Sequence, residues 1–302
     1  MSRAFRIPLR TRFRGQEERQ GLLLHGPCGW GEFSPFPEYP PEVVRRWLAA
    51  AHEAISTPWP EPRRQTIPVN VTVPAVAAEE AHALVSASGC GTAKVKVAEG
   101  DDEGRVEAVR HALGPSGKLR IDANGAWSVD EARAALMRLG RYDLEYAEQP
   151  VASLTEMARL RRVVDVPLAA DEPVRMSAAP SSLKLTEAAD ILVLKVQPLG
   201  GVWPALEVAE RSGLPAVVSS ALETSIGIAA GLALAAALDE LPYACGLATV
   251  GLLAGDVVAN PLLPRGGIIE LSRPEVSEEA LTPWRIEPTA WLQRARAAEE
   301  AS

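Results

Sequence analysis

From residue 67 onwards, short apolar runs rich in β-branched residues alternate with longer segments whose apolar residues recur at helical spacing. The short runs predict strands and the longer segments predict helices, with one strand about every 24 residues. Strands that alternate with helices in this way form a parallel sheet. The pattern predicts eight strands, of which the last is weak, over residues 67–73, 92–97, 119–122, 144–148, 168–171, 191–195, 216–219 and 244–248.

Capping residues and glycines mark the ends of the helices between these strands. Ser128 with Glu131, and Ser153 with Glu156, have the capping-box spacing that satisfies free amides at a helix start. Glycines follow the predicted last turns at residues 89, 114, 140 and 213, which is typical of helix C-terminal caps. We therefore predict helices over residues 77–88, 102–113, 128–140, 153–164, 202–212 and 225–238.

The way in which charged residues end the strands favours a closed barrel over an open sheet. An open doubly wound sheet places its ligand at one switch point, near one or two strand ends. Here charged residues end five strands in a row, from the second to the sixth, and five strand ends converge on one point only in a barrel. The first unit also carries no glycine-rich phosphate loop. We therefore predict an α/β fold with a (β/α) barrel of the TIM type.

The two ends of the chain do not share this rhythm. Short strands over 21–26 and 29–33 and a helix over 42–55 precede a proline-rich linker at 57–62. The tail contains Trp284 and Trp291 in an amphipathic context. We expect it to pack back on the N-terminal segment, so that both ends build one small domain. The predicted division is 1–65 for the N-terminal part of that domain, 66–264 for the barrel and 265–302 for the C-terminal segment.

The net charge and the cysteines indicate which kinds of partner and which compartment to expect for the protein. A net charge of −8 argues against nucleic acid as a partner, but it leaves room for a small anionic substrate. The N-terminus has no apolar core of signal-peptide length, and the most apolar region, 226–238, is too short to span a bilayer. Cys28, Cys90 and Cys245 predict free thiols in the cytoplasm. The sequence does not give the oligomeric state, and a monomer is the working expectation.

Three acids stand at the ends of three consecutive predicted strands and point to a metal ion. Asp122, Glu148 and Asp171 would repel one another at a barrel mouth, and a hard divalent cation is the natural compensation. Ligands that are all oxygen, with no histidine or cysteine nearby, favour Mg²⁺ over Zn²⁺. The alternative is that each acid caps the next helix or pairs with a surface arginine. Glu145 and Glu172 leave open which carboxylates face inward.

Three lysines flank these acids along the chain. Lys94 and Lys96 lie one residue apart in the second strand, so the period of two sends both to one face. Lys195 ends the sixth strand. A lysine close to other cations has a lowered pKa and can accept a proton. With a metal ion that holds a substrate carboxylate, this arrangement suits removal of the proton α to it. The alternative, lysines that extend outward at a sheet edge, does not fit a barrel.

Six further residues are candidates for binding substrate. Arg120 and Asn124 share the parity of Asp122, and two serines end the seventh strand ahead of a helix start that could bind an anionic group. A pair of glycines after Lys195 allows close approach of the backbone, although a plain turn explains it equally well. The six candidates are Arg120, Asn124, Gly200, Gly201, Ser219 and Ser220.

Taken together, these residues resemble the enolase superfamily, in its muconate-cycloisomerase-like branch. The resemblance implies a (β/α)7β TIM-type barrel under an α+β capping domain built from both chain ends. It also implies Mg²⁺ held by Asp122, Glu148 and Asp171, with Lys96 and Lys195 on opposite faces of a small carboxylate substrate. The matching stretches are Gly29–Glu32, Lys94–Lys96, Asp122–Trp127, Glu148–Pro150, Asp171–Pro173, Lys195 with Gly200 and Gly201, and Ser219–Glu223.

Within that branch, the short chain, Arg120 and the opening stretch 12–15 favour the enzymes that eliminate water from a succinyl-substituted hydroxycyclohexadiene carboxylate. The resemblance then implies that Lys96 takes the α-proton and helps the hydroxyl leave. Lys195 stabilises the enediolate, and Lys94 shifts the pKa of Lys96 and positions it. Racemisation of an N-succinylamino acid or muconate cycloisomerisation would use the same lysines, and a non-catalytic carboxylate-binding barrel is the alternative outside enzymes. At position 149 this sequence has Gln, where many relatives carry an acid.

Overall fold

The computed structural model describes residues 2–301, so the outermost residues of the two predicted end segments, Met1 and Ser302, lie outside the described residues. Its strands are β1 (Ser2–Phe13), β2 (Gln16–Gly26), β3 (Gly29–Phe33), β4 (Thr66–Pro68), β5 (Val71–Val73), β6 (Thr92–Lys96), β7 (Lys118–Asp122), β8 (Leu144–Glu148), β9 (Leu168–Ala170), β10 (Ile191–Leu194), β11 (Ala216–Val218), β12 (Ile268–Glu270) and β13 (Arg285–Ile286). Its α-helices are α1 (Pro41–Ser56), α2 (Ala78–Ser88), α3 (Asp102–Leu113), α4 (Val129–Leu139), α5 (Leu154–Leu160), α6 (Glu172–Met176), α7 (Val196–Leu199), α8 (Val202–Ser212), α9 (Ser225–Ala237), α10 (Glu278–Leu281) and α11 (Thr289–Glu300).

Seven parallel strands form the barrel wall, in the order β11-β10-β9-β8-β7-β6-β5. The two edges of this sheet meet through a short extended segment at residues 245–246. Cys245 forms a parallel bridge to Val69, next to β5, and Gly246 forms a parallel bridge to Ser219, next to β11. The segment therefore acts as the eighth strand and closes the wall. The fold is the predicted (β/α)7β barrel.

The alternation of each strand separates a packed outer layer from a polar interior. On β7, Leu119 and Ile121 belong to the main apolar core between the wall and the helices, whereas Arg120 and Asp122 face inward. Helix α9 is buried along nearly its whole length, which explains its Ala-rich and Gly-containing sequence. Because side chains alternate along a strand, every second residue of a barrel strand is available to the interior.

Both chain ends contribute to the domain above the barrel mouth. An antiparallel sheet in the order β13-β1-β2-β3 joins the N-terminal strands to Arg285–Ile286 from the C-terminal tail. Helix α1 packs on β3, and α11 packs on α1. Trp291 of α11 is buried there with Phe33, their rings 5.8 Å apart. The predicted α+β cap built from both ends is confirmed.

The structure differs from the predicted elements mainly near residues 1–20 and 66–73. The long strand β1 was not predicted, and the predicted strand 67–73 is split into β4 and β5. Strand β4 pairs antiparallel with β12 rather than with the barrel wall. Pro68 has no N–H to donate to a ladder, so the chain changes partners at this point. Helix α5 ends at Leu160, four residues before its predicted end.

The helices of residues 2–301 are short or carry polar residues along their length, as their sequences show. None of them is both long enough and apolar enough to span a bilayer.

Candidate active site

A cavity of about 480 Å³, open to solvent, lies between the cap and the carboxyl ends of the barrel strands. This is the face at which TIM barrels carry their active sites. From the cap, the cavity is lined by Phe13, Arg14 and Phe36. From the barrel, its lining includes Thr72, Lys94, Lys96, Asp122, Asn124, Arg175, Lys195, Pro198, Ser219, Ser220, Ala221, Leu222 and Thr249.

The three predicted acids end neighbouring strands and are almost fully buried. Asp122 of β7 is in register with Glu148 of β8, and Asp171 directly follows β9. Their exposed fractions are 1%, 1% and 0%. Since a buried carboxylate is costly without a counter-charge, the site must supply cations to all three.

Each acid meets a lysine in the structure. Lys94 Nζ lies 2.6 Å from Glu148 Oε2 and 3.6 Å from Asp122 Oδ2. Lys96 Nζ donates to Asp122 Oδ2 at 2.5 Å, and Lys195 Nζ donates to Asp171 Oδ2 at 2.6 Å. The structure thus brings all six predicted charged residues to one place.

The charges shift the pKa values of this cluster in different directions. Burial, together with the charges of Asp122 and Asp171, raises the pKa of Glu148 to about 6. Against the effect of burial, Lys96 and Lys94 hold the pKa of Asp122 at about 2. Lys195 and Arg175 likewise outweigh burial and keep the pKa of Asp171 below its usual range.

The two lysines of β6 differ as well. Burial lowers the pKa of Lys96, and the charge of Lys94 adds to the decrease while Asp122 opposes it. For Lys94 burial acts in the same direction, but Glu148 and Asp122 outweigh it and raise the pKa. Lys96 therefore loses its proton more readily than Lys94, which is the property that a general base requires.

The donor set fits a hard divalent cation. Across residues 2–301, no three His, Cys, Asp or Glu side chains form a ready-made metal cluster, and the site's carboxylates are bound to lysines instead. Even so, Glu148 Oε1 is buried and has no hydrogen-bond partner within the described chain. Three buried carboxylates on adjacent strands, one with a free oxygen, match the oxygen-only ligands that Mg²⁺ prefers.

Three of the six predicted substrate-binding residues line the cavity. Asn124 accepts from Lys96 Nζ at 2.5 Å and donates to Glu172 at 3.0 Å, so it holds the lysine together with Asp122. Ser219 and Ser220 also line the cavity, and the hydroxyl of Ser220 lies 2.7 Å from that of Thr249.

Arg120 is inward-facing as predicted, but it does not line the cavity. Its guanidinium donates to Glu145 at 2.6 Å, to Asn70 at 3.2 Å and to the carbonyl of Ala244 at 2.6 Å, and it stacks on Tyr146. Arg120 lies two residues before Asp122, which places it one layer deeper in the barrel. In the structure Arg120 therefore links residues on both sides of the barrel closure, and its role in substrate binding stays a prediction.

Gly200 and Gly201 are not brought to the cavity either. A Cβ at Gly201 would lie 2.4 Å from Glu53 Oε2, and this glycine has a φ of +138°. The Glu53 carboxylate of α1 accepts the amide of Val202 at 2.6 Å, at the start of α8. Gly201 thus permits close contact between the cap helix and the barrel. That the two glycines also approach a substrate stays a prediction.

Sequence reasoning missed Arg175 and its partners. Arg175 lies one helical turn after Asp171 and donates to it at 3.0 Å. It also donates to Glu172 at 2.6 Å and to the hydroxyl of Tyr39 in the cap. The i, i+4 spacing from Asp171 was the available signal, but residues 172–176 carried no predicted helix.

The site has a lysine on each side of the acids, as chemistry at a carbon next to a carboxylate requires. Counting β5 as the first barrel strand, Lys96 ends the second strand and Lys195 follows the sixth, so they stand on opposite sides of an eight-stranded wall. The acids end the third, fourth and fifth strands between them. A planar substrate held at the acids would present one face to each lysine.

Comparisons with known proteins agree with this geometry. A family described as "Enolase C-terminal domain-like" matches residues 76–296, and one described as "Enolase N-terminal domain-like" matches residues 4–55. The o-succinylbenzoate synthase of Thermobifida fusca is 58% identical over 99% of this chain and 96% of its own. The o-succinylbenzoate synthase of Mycobacterium tuberculosis strain H37Ra is 46% identical over 96% of this chain and 91% of its own.

Solved structures show the same fold at much lower identity. Muconate lactonizing enzyme from Pseudomonas fluorescens, in complex with muconolactone, matches with a TM-score of 0.80 and 21% identity, over 94% of this chain and 98% of its own. A dipeptide epimerase from Cytophaga hutchinsonii, in complex with Mg and a dipeptide, matches with a TM-score of 0.75 and 22% identity, over 94% and 98%.

Proposed function

The chain belongs to the enolase superfamily, and on that premise we propose that it acts as an o-succinylbenzoate synthase in menaquinone biosynthesis. The reaction is the loss of water from 2-succinyl-6-hydroxy-2,4-cyclohexadiene-1-carboxylate. The barrel site supports proton abstraction next to a carboxylate, which several enzymes of the superfamily branch share. The observation that carries the choice of reaction is the 58% identity to the Thermobifida fusca synthase over nearly the whole of both chains.

In this proposal Lys96 removes the proton from the carbon that bears the ring carboxylate. Asn124 and Asp122 hold its nitrogen at 2.5 Å each in the structure. As the base, Lys96 acts as the neutral amine, which its lowered pKa favours, and accepts the α-proton to become the ammonium. The proton that Lys96 accepts is then passed to the leaving hydroxyl, which departs as water. The same lysine can serve both steps because elimination from one face of the ring keeps both groups within its reach.

Lys195 stays protonated in this scheme and stabilises the negative charge that develops on the substrate as the α-proton leaves. Its position on the opposite side of the wall from Lys96 supports a contact with the other ring face. Lys94 remains paired with Glu148 at 2.6 Å, and its charge makes proton loss from Lys96 easier.

We further propose Mg²⁺ as the metal, with Asp122, Glu148 and Asp171 as its ligands. When bound, Mg²⁺ supplies a Lewis acid for the substrate carboxylate. The support from this chain is the set of three buried carboxylates and the unpartnered Oε1 of Glu148. In the structure Lys96 and Lys195 bind Asp122 and Asp171, and the cation would take their place on these oxygens. Lys94 binds Glu148 Oε2 and can remain there, because Oε1 is free for the cation.

The proposed setting is a monomer in the cytoplasm. The support for the cytoplasm is that the three cysteines stand far apart in the sequence and are free in the structure, as is usual in a reducing compartment. Size-exclusion chromatography with light scattering would measure the mass against the 32.2 kDa of one chain.

The direct test is a spectroscopic assay of o-succinylbenzoate formation with Mg²⁺, repeated after a chelator is added. The proposal predicts turnover with Mg²⁺ and its loss with the chelator. An inactive protein that instead exchanges the α-proton of an N-succinylamino acid in deuterated buffer would overturn the synthase assignment and leave the lysine–carboxylate site intact.

A further inference from the structure

The tip of the β1–β2 hairpin brings an arginine to the cavity in a backbone conformation that arginine does not favour. Phe13 pairs with Gln16, so Arg14 and Gly15 are the two central residues of the turn. Both have positive φ, +52° and +72°, as in a type I′ turn, whose central positions favour Asn and Gly. An arginine at such a position is strained, and strain of this kind concentrates at functional sites.

The side chain of Arg14 is held rigidly but is not satisfied. Its guanidinium lies 4.3 Å from the ring centre of Phe36, and Nη2 donates to the hydroxyl of Tyr39 at 2.9 Å. Nη1 is buried and has no hydrogen-bond partner among residues 2–301. The acid beside it, Glu38, is half exposed and its Oε1 lies 3.6 Å away, beyond hydrogen-bond distance.

The second arginine that lines the cavity, Arg175, is already engaged at each of its nitrogens. Each of the three guanidinium nitrogens of Arg175 already has an oxygen partner, on Asp171, Glu172 and Tyr39. Burial of a donor without a hydrogen bond costs about 1 to 3 kcal/mol. Nη1 of Arg14 has only the ion pair with Glu38 at 3.6 Å, so an acceptor that arrives from outside can supply the missing hydrogen bond. Of the two arginines, Arg14 is therefore the one built to receive an anion.

The position of Arg14 relative to the reacting centre limits what that anion can be. Its neighbour Phe13 lies against Lys96, with 5.1 Å from Nζ to the ring centre. Arg14 thus stands at the cap side of the cavity, while the acids that would hold the reacting carboxylate stand at the barrel side. A ligand that reaches both must carry an anionic group at each end.

We infer that Arg14 binds the second carboxylate of the substrate, the one at the end of the succinyl chain. This inference rests on the proposed function, from which the dicarboxylate comes. Arg14 then determines specificity for the dicarboxylate without touching the atoms that react. The hydroxyl of Tyr39 and the faces of Phe36 and Tyr39 hold the guanidinium in place for this contact.

The test compares two ligands by calorimetry in the presence of Mg²⁺. One is o-succinylbenzoate and the other is 2-butanoylbenzoate, in which a methyl group replaces the distal carboxylate. The variants are Arg14→Asn and Arg14→Met, with Arg12→Met as the matched control. Arg12 is an exposed arginine two residues away that does not line the cavity. Asn suits the type I′ turn, so Arg14→Asn removes the cation without harming the hairpin.

The parent and Arg12→Met should bind o-succinylbenzoate about 10- to 100-fold more tightly than 2-butanoylbenzoate, as expected of a charge-assisted hydrogen bond. Arg14→Asn should bind the two alike and melt no lower than the parent. An Arg14→Asn that keeps the preference overturns the role of Arg14 and leaves the synthase assignment standing. A parent that binds neither ligand and forms no product overturns the proposed function and this role with it.

Discussion

At the scale of single residues, the barrel interior is a set of charges that neutralise one another in layers. In the upper layer Lys94 is shared between Glu148 and Asp122. In the layer below, Arg120 pairs with Glu145 and spans from Asn70 to Ala244, and thus from the first strand to the eighth. Removal of one member of a buried pair leaves an uncompensated charge, which is far more costly than the loss of the contact itself.

Replacement of Arg120 tests whether that residue closes the barrel or binds substrate. Arg120→Met should lower the free energy of unfolding by about 3 to 5 kcal/mol, because Glu145 and the Ala244 carbonyl lose their partner. Arg120→Met combined with Glu145→Gln should recover part of the loss. Urea unfolding measures both, and the KM of the folded variant should stay near that of the parent. A large rise in KM with stability unchanged would return Arg120 to the substrate-binding residues.

At this scale the sequence predicted which face of a strand a residue occupies, but not how deep in the barrel it lies. Alternation places Arg120 and Asp122 on the same inward face, and the structure agrees. A period of two does not say how far along the barrel axis a residue lies, so the layer of Arg120 was not predictable. The contact between Gly201 and Glu53 was not predictable for a related reason, since the approach of Glu53 from the cap has no signal in the local sequence.

At the scale of elements, local sequence signals predicted a helix or strand correctly where its own residues determine where it begins and ends. Helix α3 spans the predicted 102–113 and strand β8 the predicted 144–148. Both predicted capping boxes are present, at Ser128 and at Ser153. Elements whose edges depend on a distant partner were missed. Strand β1 is stabilised by β2 and by β13 from the other end of the chain, and β4 by β12.

One contact between elements should make stability depend on pH. Glu32 of β3 is buried at the start of α9, where it accepts the amides of Thr224 and Gly227, each at 3.1 Å. Burial and the charge of Glu223 outweigh the hydrogen bonds and Arg19, and they raise the pKa of Glu32 to about 7. Between its unfolded pKa and about 7, the folded state holds a proton that the unfolded state releases. Stability therefore falls as pH rises through this window.

The expected size of the effect follows from the shift. Between about pH 5 and about pH 8, the free energy of unfolding of the parent should fall by about 2 to 3 kcal/mol more than that of Glu32→Gln. The amide of Gln keeps an oxygen for Thr224 and Gly227, so the variant mimics the protonated acid. Urea unfolding at the two pH values gives the difference, with Glu17→Gln on the exposed face of β2 as control. Equal losses in parent and Glu32→Gln would contradict the assignment.

At the scale of the whole molecule, the barrel and the cap have separate tasks that meet in one cavity. The wall places three acids between two lysines, and the cap contributes Phe13, Arg14 and Phe36 from above. The wall was predictable because strand rhythm and charged strand ends repeat along the chain. On the cap side the sequence indicated only the neighbourhoods of Arg14 and Phe36, both of which line the cavity. The contact between the hairpin turn and the loop at Phe36 leaves no repeating signal along the chain.

The measurement that tests the central claim most directly is the steady-state kinetics of o-succinylbenzoate formation by Lys96→Ala, with Lys195→Ala alongside. The account predicts that kcat falls at least about 10³-fold in Lys96→Ala, since the proton acceptor is gone. Calorimetry should show that o-succinylbenzoate still binds to the folded variant. A Lys96→Ala that keeps kcat within about tenfold of the parent would contradict the account, because the reaction would then use a base other than Lys96.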